Sequence, residues 1–152
     1  MTIDEAINRI DSLIPNAYVR GDKIAWLSTL DGTIKKEIIQ THKKRIRHPA
    51  AETLTSIPHY RWQDDPQEIP QDDPQHYPVM PYTEETPADT LLLAPFPYDN
   101  IYLYYLEMQI DYYNSEIDKY NNAKAMFDEA YSAFRNFWNR THLPKPTYNR
   151  YF

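Results

Sequence analysis

Residues 99–142 read DNIYLYYLEMQIDYYNSEIDKYNNAKAMFDEAYSAFRNFWNRTH. Large apolar side chains recur in this stretch at alternating steps of three and four residues, a spacing that keeps them on one face of an α-helix. Only Lys124 interrupts the series. The pattern predicts one long helix from Asp99 to His142, whose apolar seam needs an extended partner surface rather than a compact pocket. The seam consists of Leu103, Leu106, Ile110, Tyr113, Ile117, Tyr120, Phe127, Tyr131, Phe134 and Trp138.

Two places inside this helix favour a kink or a break. Asn114-Ser115 and Asn121-Asn122 are poor helix formers, because short polar side chains compete for backbone hydrogen bonds. The sequence therefore leaves open whether the helix is continuous. Asp99 is well placed to cap its start. Proline at position 144 stops helical structure, so residues 143–152 are predicted as an extended C-terminal tail.

A shorter helix is predicted at the start of the chain. Thr2 and Glu5 have the spacing of a capping box, in which each side chain bonds a backbone amide that the first helical turn leaves unpaired. Pro15 ends the helix. Its apolar stripe consists of Ile3, Ile7, Ile10 and Ile14.

A second helix is predicted from Asp22 to Thr41. Gly32 weakens it, since glycine costs about 1 kcal/mol relative to alanine inside a helix. Trp26 lies off the main stripe and either widens the buried face or contacts another subunit. The stripe consists of Ile24, Leu27, Leu30 or Asp31, Ile34 and Ile38.

Residues 42–89 are acidic and rich in proline, and ten of the thirteen prolines lie between Pro49 and Pro97. This composition predicts an extended arm rather than regular structure. Aromatic side chains such as Trp62 favour docking of the arm on a neighbouring surface. A basic cluster opens the arm, and it either complements the C-terminal end of the second helix or contacts passing DNA. The cluster is Lys43, Lys44, Arg45 and Arg47.

The composition argues against several classes of function. A net charge of −6 argues against a general nucleic-acid binder, and there is no cysteine for a disulfide or thiolate. Two glycines cannot form a phosphate-binding loop. Glu107 and Asp111 lie four residues apart, but no Glu-x-x-His motif accompanies them, so an exposed face is favoured over a metal site. We expect no enzymatic activity, no cofactor, no metal and no membrane association.

The C-terminal stretch has more tyrosine than one buried seam can cover. Tyrosine combines an apolar ring with a polar tip and is enriched at protein interfaces, so the surplus predicts contacts between copies of the chain. A homo-oligomer is the simplest arrangement. The candidate interface residues are Tyr102, Tyr104, Tyr105, Tyr112 and, from the arm, Trp62.

Four segments together resemble a known family. They are IDEAINRIDSLIPNAY, KIAWLSTLDGTIKKEII, LLLAPFPYDNIYLYYLEMQIDYYNSEIDKYNNAKAMFDEAYSAF and NRTH, within residues 1–41 and 90–142. The chain resembles the head-tail connector proteins, also called adaptor or head-completion proteins, of tailed phages and prophages of Gram-positive bacteria.

The resemblance implies an all-helical structural subunit of the virion, made and assembled in the host cytoplasm. About twelve copies would form a ring under the portal protein, extend the DNA channel and receive the next neck or tail-completion protein. Packaged DNA would pass nearby without sequence-specific binding. The C-terminal tail would dock on the portal through Tyr148, Arg150, Tyr151 and Phe152.

The predicted fold class is therefore all-α, a small bundle in which two N-terminal helices pack on one long C-terminal helix. Residues 1–41 and 90–142 form one helical domain, residues 42–89 an inserted arm and residues 143–152 a tail. Two other functions remain open. A non-viral homo-oligomeric coiled-coil interaction module explains the seam equally well, and a metal-dependent enzyme in a helical bundle is the third.

Overall fold

The computed structural model describes residues 1–42, 78 and 80–142. Within these residues the chain forms four α-helices, α1 (Ile3–Leu13), α2 (Arg20–Ile34), α3 (Asn100–Tyr113) and α4 (Ile117–Thr141). A π-helical turn, Lys35–Ile39, continues α2. The described part of the chain contains no strand, so the all-α prediction is confirmed there. The predicted tail and most of the predicted arm lie outside the described residues.

The capping box at the start of α1 is confirmed. The Thr2 backbone amide donates to Glu5 Oε2 at 2.8 Å, and the Glu5 amide donates to Thr2 Oγ1 at 3.2 Å. The helix buries Ile3, Ala6, Ile7 and Ile10 and ends two residues before Pro15. Since proline lacks an amide hydrogen and fixes its own φ, the chain turns away at that point.

The second predicted helix is present, but it does not remain α-helical to Thr41. Gly32 lies inside α2 and does not break it. The change of geometry comes three residues later, where the Gln40 amide donates to the Lys35 carbonyl at 2.9 Å, the five-residue step of a π-helix. The wider turn buries both Ile38 and Ile39.

The stretch from Asp99 to His142 forms two helices rather than one, because the chain breaks at Asn114-Ser115, one of the two places where the sequence left a kink or a break open. Ser115 adopts a left-handed φ of 61°. The Glu116 amide donates to the Asp111 carbonyl at 2.9 Å, and the Ser115 amide donates to the Tyr112 carbonyl at 3.1 Å. These two bonds form a Schellman motif, the usual end of a helix, with serine at the position that glycine normally occupies.

Three residues, 114–116, therefore join α3 to α4, and the two helices form an antiparallel hairpin. The antiparallel direction follows from the ring contacts between the two helices, because residues earlier in α3 contact residues later in α4. The rings of Tyr112 and Tyr120 lie 5.8 Å apart, and those of Tyr105 and Phe127 lie 5.4 Å apart. Most apolar side chains of the predicted seam are thus covered because α4 folds back on α3.

The start of α3 also differs from the prediction. Asp99 occupies the N-cap position, but its side chain makes no capping hydrogen bond. Its carboxylate instead lies 3.7 Å from the Met1 ammonium. At this same end of the hairpin, away from the turn, the ring of Tyr98 stacks on Phe137 at 4.8 Å.

Residues 80–98, which we call the strap, lie across the helices. The Leu92 amide donates to the Met1 carbonyl at 3.1 Å, and the Ile3 amide donates to the Thr90 carbonyl at 3.1 Å. An isolated bridge pairs Thr2 with Leu91. The strap and all four helices enclose one core, whose fully buried members include Ala6, Ile24, Leu27, Ile34, Ala94, Ile101, Leu106, Ile110 and Phe134.

Candidate functional site

Asp31 carries a carboxylate in the middle of this core. It follows Leu30 in α2, and both side chains are buried, so the two alternatives that the stripe left open are both realised. Tyr102 of α3 donates its hydroxyl to Asp31 Oδ1 at 2.6 Å, and Tyr82 of the strap donates to Oδ2 at 2.6 Å. The Leu93 amide also donates to Oδ2, at 3.3 Å. A buried acidic side chain is thus supplied with three donors.

The network continues beyond Asp31. The Tyr102 oxygen accepts a hydrogen bond from the Ala94 amide at 2.7 Å, and the Tyr82 amide donates to Ser28 Oγ at 2.9 Å. These bonds join α2, α3 and the strap. Buried polar groups that all find partners specify one arrangement of the surrounding elements, because any other arrangement leaves some of them unpaired.

Burial changes the acidity of the network. It raises the pKa of Asp31 to about 6, although the hydrogen bonds from Tyr102, Tyr82 and Leu93 act in the opposite direction. Burial, together with the neighbouring Asp31 charge, also raises the pKa of Tyr82 and Tyr102 well above the usual tyrosine value. Among the described residues no cation pairs with Asp31. Because their pKa values are raised, both tyrosines remain protonated and act as donors.

Tyr102 was predicted as a subunit contact, and the structure places it elsewhere. Its side chain is completely buried within the chain. Tyr105 is half-buried and packs against Phe127 between the two hairpin helices. Tyr104 is partly exposed, whereas Tyr112 is 61% exposed. Of the predicted interface tyrosines on α3, Tyr112 presents the largest fraction of its side chain to a partner.

Tyr112 belongs to a cluster of aromatic side chains at the closed end of the hairpin. We call this cluster the tip surface and define it by Tyr18, Trp26, Tyr112, Tyr113 and Tyr120. Trp26 and Tyr113 stack with ring centres 5.5 Å apart and planes 11° apart. Tyr18 meets Trp26 edge to face at 5.4 Å. Tyr113 is 56% exposed, and Ile117, the first residue of α4, is 70% exposed.

A hydrogen bond fixes one edge of the tip surface. The Tyr18 hydroxyl donates to Asn114 Oδ1 at 2.9 Å, which ties the α1–α2 connection to the hairpin turn. Trp26, for which the sequence left two roles open, is half-buried and forms the floor under Tyr113. Sequence reasoning did not identify Tyr18. In the sequence Tyr18 is only an aromatic residue in a short connection between helices, and helical periodicity gives no information about such positions.

Carboxylates also meet near the hairpin turn. Asp111 is buried, and its Oδ2 has no hydrogen-bond partner among the described residues. Burial raises the pKa of Asp111 and of Glu107, and in each case a neighbouring carboxylate adds to the effect. Within residues 1–42, 78 and 80–142, no group of three or more acidic, histidine or cysteine side chains is arranged to hold a metal ion.

The remaining predicted site residues lie outside the described part of the chain. They are Trp62, the basic cluster Lys43, Lys44, Arg45 and Arg47, and the portal-contact set Tyr148, Arg150, Tyr151 and Phe152. Among the helices that the structure describes, none is long and apolar enough to cross a membrane.

Comparison of the chain with protein-family models, with curated proteins and with solved structures finds no match.

Proposed function

We propose that this protein is a structural connector subunit of a tailed-phage virion, without enzymatic activity, whose copies contact one another through the tip surface. The observation that carries the contact between copies is the exposed aromatic cluster in which Tyr113 stacks on Trp26 and Tyr112 meets Tyr113 edge to face. Tyrosine and tryptophan are enriched at protein interfaces because they offer large contact areas at low cost in side-chain entropy.

The internal packing of the hairpin argues against the alternative function, a non-viral homo-oligomeric coiled-coil interaction module. A coiled-coil module needs a helix whose apolar face is open along its length. Here α3 is covered by α4 and by the N-terminal helices, and Leu103, Leu106 and Ile110 are all buried. The apolar residues left exposed in the seam, Tyr113 and Ile117, are confined to the turn. This distribution favours a compact subunit with a local contact surface.

In the proposed assembly, about twelve subunits form a ring beneath the portal, extend the DNA channel and present a surface to the next neck or tail protein. The tail residues Tyr148, Arg150, Tyr151 and Phe152 contact the portal, and the Lys43–Arg47 cluster faces the passing DNA. The ring and the portal contact come from the family resemblance of residues 1–41 and 90–142. The DNA contact of the basic cluster is proposed from its charge alone, and its alternative role is to complement the C-terminal end of the second helix.

The direct test combines the purified protein with portal rings from the same genome and examines the mixture by electron microscopy. We expect rings of about twelve subunits attached to the portal. Deletion of residues 144–152 should leave a folded protein that no longer attaches. Attachment by the truncated chain would exclude the portal-contact role of the tail, and a stable dimer of long helices would contradict the connector.

The role of the tip surface needs its own variant. Tyr112→Ser combined with Tyr113→Ser should abolish ring formation and leave the circular dichroism spectrum of the monomer unchanged. The matched control is Phe96→Ser, which removes another highly exposed aromatic side chain at the opposite end of α3. If the control loses ring formation and the tip variant retains it, the contact surface has been assigned to the wrong end of the hairpin.

A further inference from the structure

The strap is held to the helices by two different sets of hydrogen bonds. One set joins its backbone to the backbone at the start of α1, and includes Leu92 to Met1 and Ile3 to Thr90. The other set ends on Asp31 and Tyr102 in the core. Only the second set contains groups that can gain or lose a proton.

We propose that the strap is a proton-sensitive clasp, docked on α2 and α3 most tightly when Asp31 is protonated and loosened when Asp31 is ionised. The clasp goes beyond the connector function and does not depend on it.

The geometry places Asp31 under the strap. Tyr82 and Leu93 supply two of its three hydrogen bonds, and Ala94 supplies the donor to the Tyr102 oxygen. When the strap leaves, Asp31 loses those two donors and gains water. Release of the strap therefore admits water to a carboxyl group that is fully buried in the docked state.

Few other ionisable groups face this carboxyl group. From the strap it meets Tyr82, and from α3 it meets Tyr102, both of which stay protonated at neutral pH. In the described part of α1, α2 and α4 no charged side chain forms a hydrogen bond or ion pair with Asp31. The charge that appears on Asp31 is thus balanced by hydrogen bonds alone.

The direction of the effect follows from linkage. In the docked state the pKa of Asp31 is about 6, above the ordinary value of 3.8 that a solvated aspartate has. The docked state therefore binds the proton more tightly than the released state. Docking is strongest below about pH 4, weakens as the pH rises toward 6 and is constant above that.

Amide hydrogen exchange on the full chain measures this equilibrium residue by residue. The Tyr82, Leu93 and Ala94 amides report on the strap, since each donates to a side chain of α2 or α3. The Ile10 and Leu106 amides report on the helices. After correction for intrinsic exchange, strap protection should fall by up to about 100-fold from about pH 4 to about pH 7. At each pH the strap amides should exchange faster than the helix amides, because the strap is released without unfolding of the helices.

The Asp31→Asn variant removes the proton and keeps the size of the side chain. Its strap protection should not vary with pH, although the strap keeps its other acidic side chains, Glu84, Glu85 and Asp89. Strap protection that retains its pH dependence in this variant would overturn the proposal. So would a flat profile in the unmodified protein, or strap amides that exchange no faster than Ile10 and Leu106 at every pH, since the strap would then open only when the whole chain unfolds.

A second variant keeps the proposal testable if Asp31→Asn does not fold. Tyr82→Phe removes one hydroxyl from the strap and leaves both helices intact, so strap protection should fall while helix protection is retained. Its matched control is Tyr131→Phe, which removes a hydroxyl that donates to the Glu37 carboxylate at 3.0 Å, away from the strap. Equal strap protection in the two variants would show that Tyr82 does not hold the clasp.

Discussion

Side chains are usually placed with polar groups outside and apolar groups inside, and two regions of this molecule show the reverse: the core around Asp31 and the tip surface. In the core, a carboxylate and two tyrosine hydroxyls are buried and have partners. At the tip, Tyr112, Tyr113 and Ile117 are exposed and their apolar area is largely uncovered. The first arrangement makes the fold specific, whereas the second leaves interaction energy for another molecule. The same residue type, tyrosine, serves opposite purposes in the two places.

Truncation of a tyrosine in each region should give the largest contrast. We expect Tyr102→Ala to lower the free energy of unfolding by about 4 kcal/mol, since it empties a fully buried site and leaves Asp31 short of a donor. Tyr112→Ala should change it by less than about 0.5 kcal/mol in the monomer. Urea denaturation measures both. Similar losses in the two variants would remove the distinction between core and tip.

The pH dependence of global stability should show the next largest effect. Because the folded-state pKa of Asp31 is about 6 and the unfolded value is 3.8, the folded chain binds more protons between these values. Stability from this group should be highest below about pH 4 and lower by about 3 kcal/mol above pH 6. Urea midpoints of the unmodified chain, compared with Asp31→Asn across this range, isolate the contribution. Parallel curves would contradict it.

Removing a single hydroxyl should have a smaller effect. Tyr82→Phe keeps the ring in place and withdraws one donor from a buried carboxylate, so we expect a loss of about 2 kcal/mol near neutral pH. The loss should shrink at acid pH, where Asp31 is protonated and needs fewer donors. Thermal denaturation at both pH values tests this, and an equal loss at each would show that the hydroxyl does not act through the carboxylate.

The turn between α3 and α4 should respond least, and in the stabilising direction. Ser115 has a left-handed φ of 61°, which glycine adopts without steric cost. Ser115→Gly should therefore raise stability by about 0.5 to 1 kcal/mol, whereas Ser115→Val should lower it. Both variants can be compared in a single set of urea titrations. A destabilising glycine would mean that the serine side chain has a role in the turn.

Local patterns in the sequence predicted the local parts of this fold. The Thr2 and Glu5 spacing predicted the capping box, and the apolar stripes predicted α1 and α2. Asn114-Ser115 was one of two candidate breaks, and helix propensity alone could not decide between them. The deciding factor is tertiary, because breaking there lets Tyr105 meet Phe127 and Tyr98 meet Phe137.

The long-range parts could not be predicted. Asp31 and Tyr82 are 51 residues apart, and Asp31 and Tyr102 are 71 residues apart, so no periodicity connects them. The available signal was an aspartate at a core-facing position of an apolar stripe. The tip surface was predicted in part, since a surplus of tyrosine was noted, but which tyrosines are exposed depends on where the chain reverses.

The stack of Trp26 on Tyr113 also sets the length of the hairpin. An antiparallel pair of helices can in general gain or lose matched turns at its closed end without disturbing the remaining pairs. Here a one-turn insertion in α3 ahead of Tyr113 would move this residue by about 5.4 Å along the axis, which would separate its ring from Trp26. An insertion of one turn in α3 ahead of Tyr113 should therefore be tolerated less well than an insertion after Asn114, which leaves the stack on Trp26 in place.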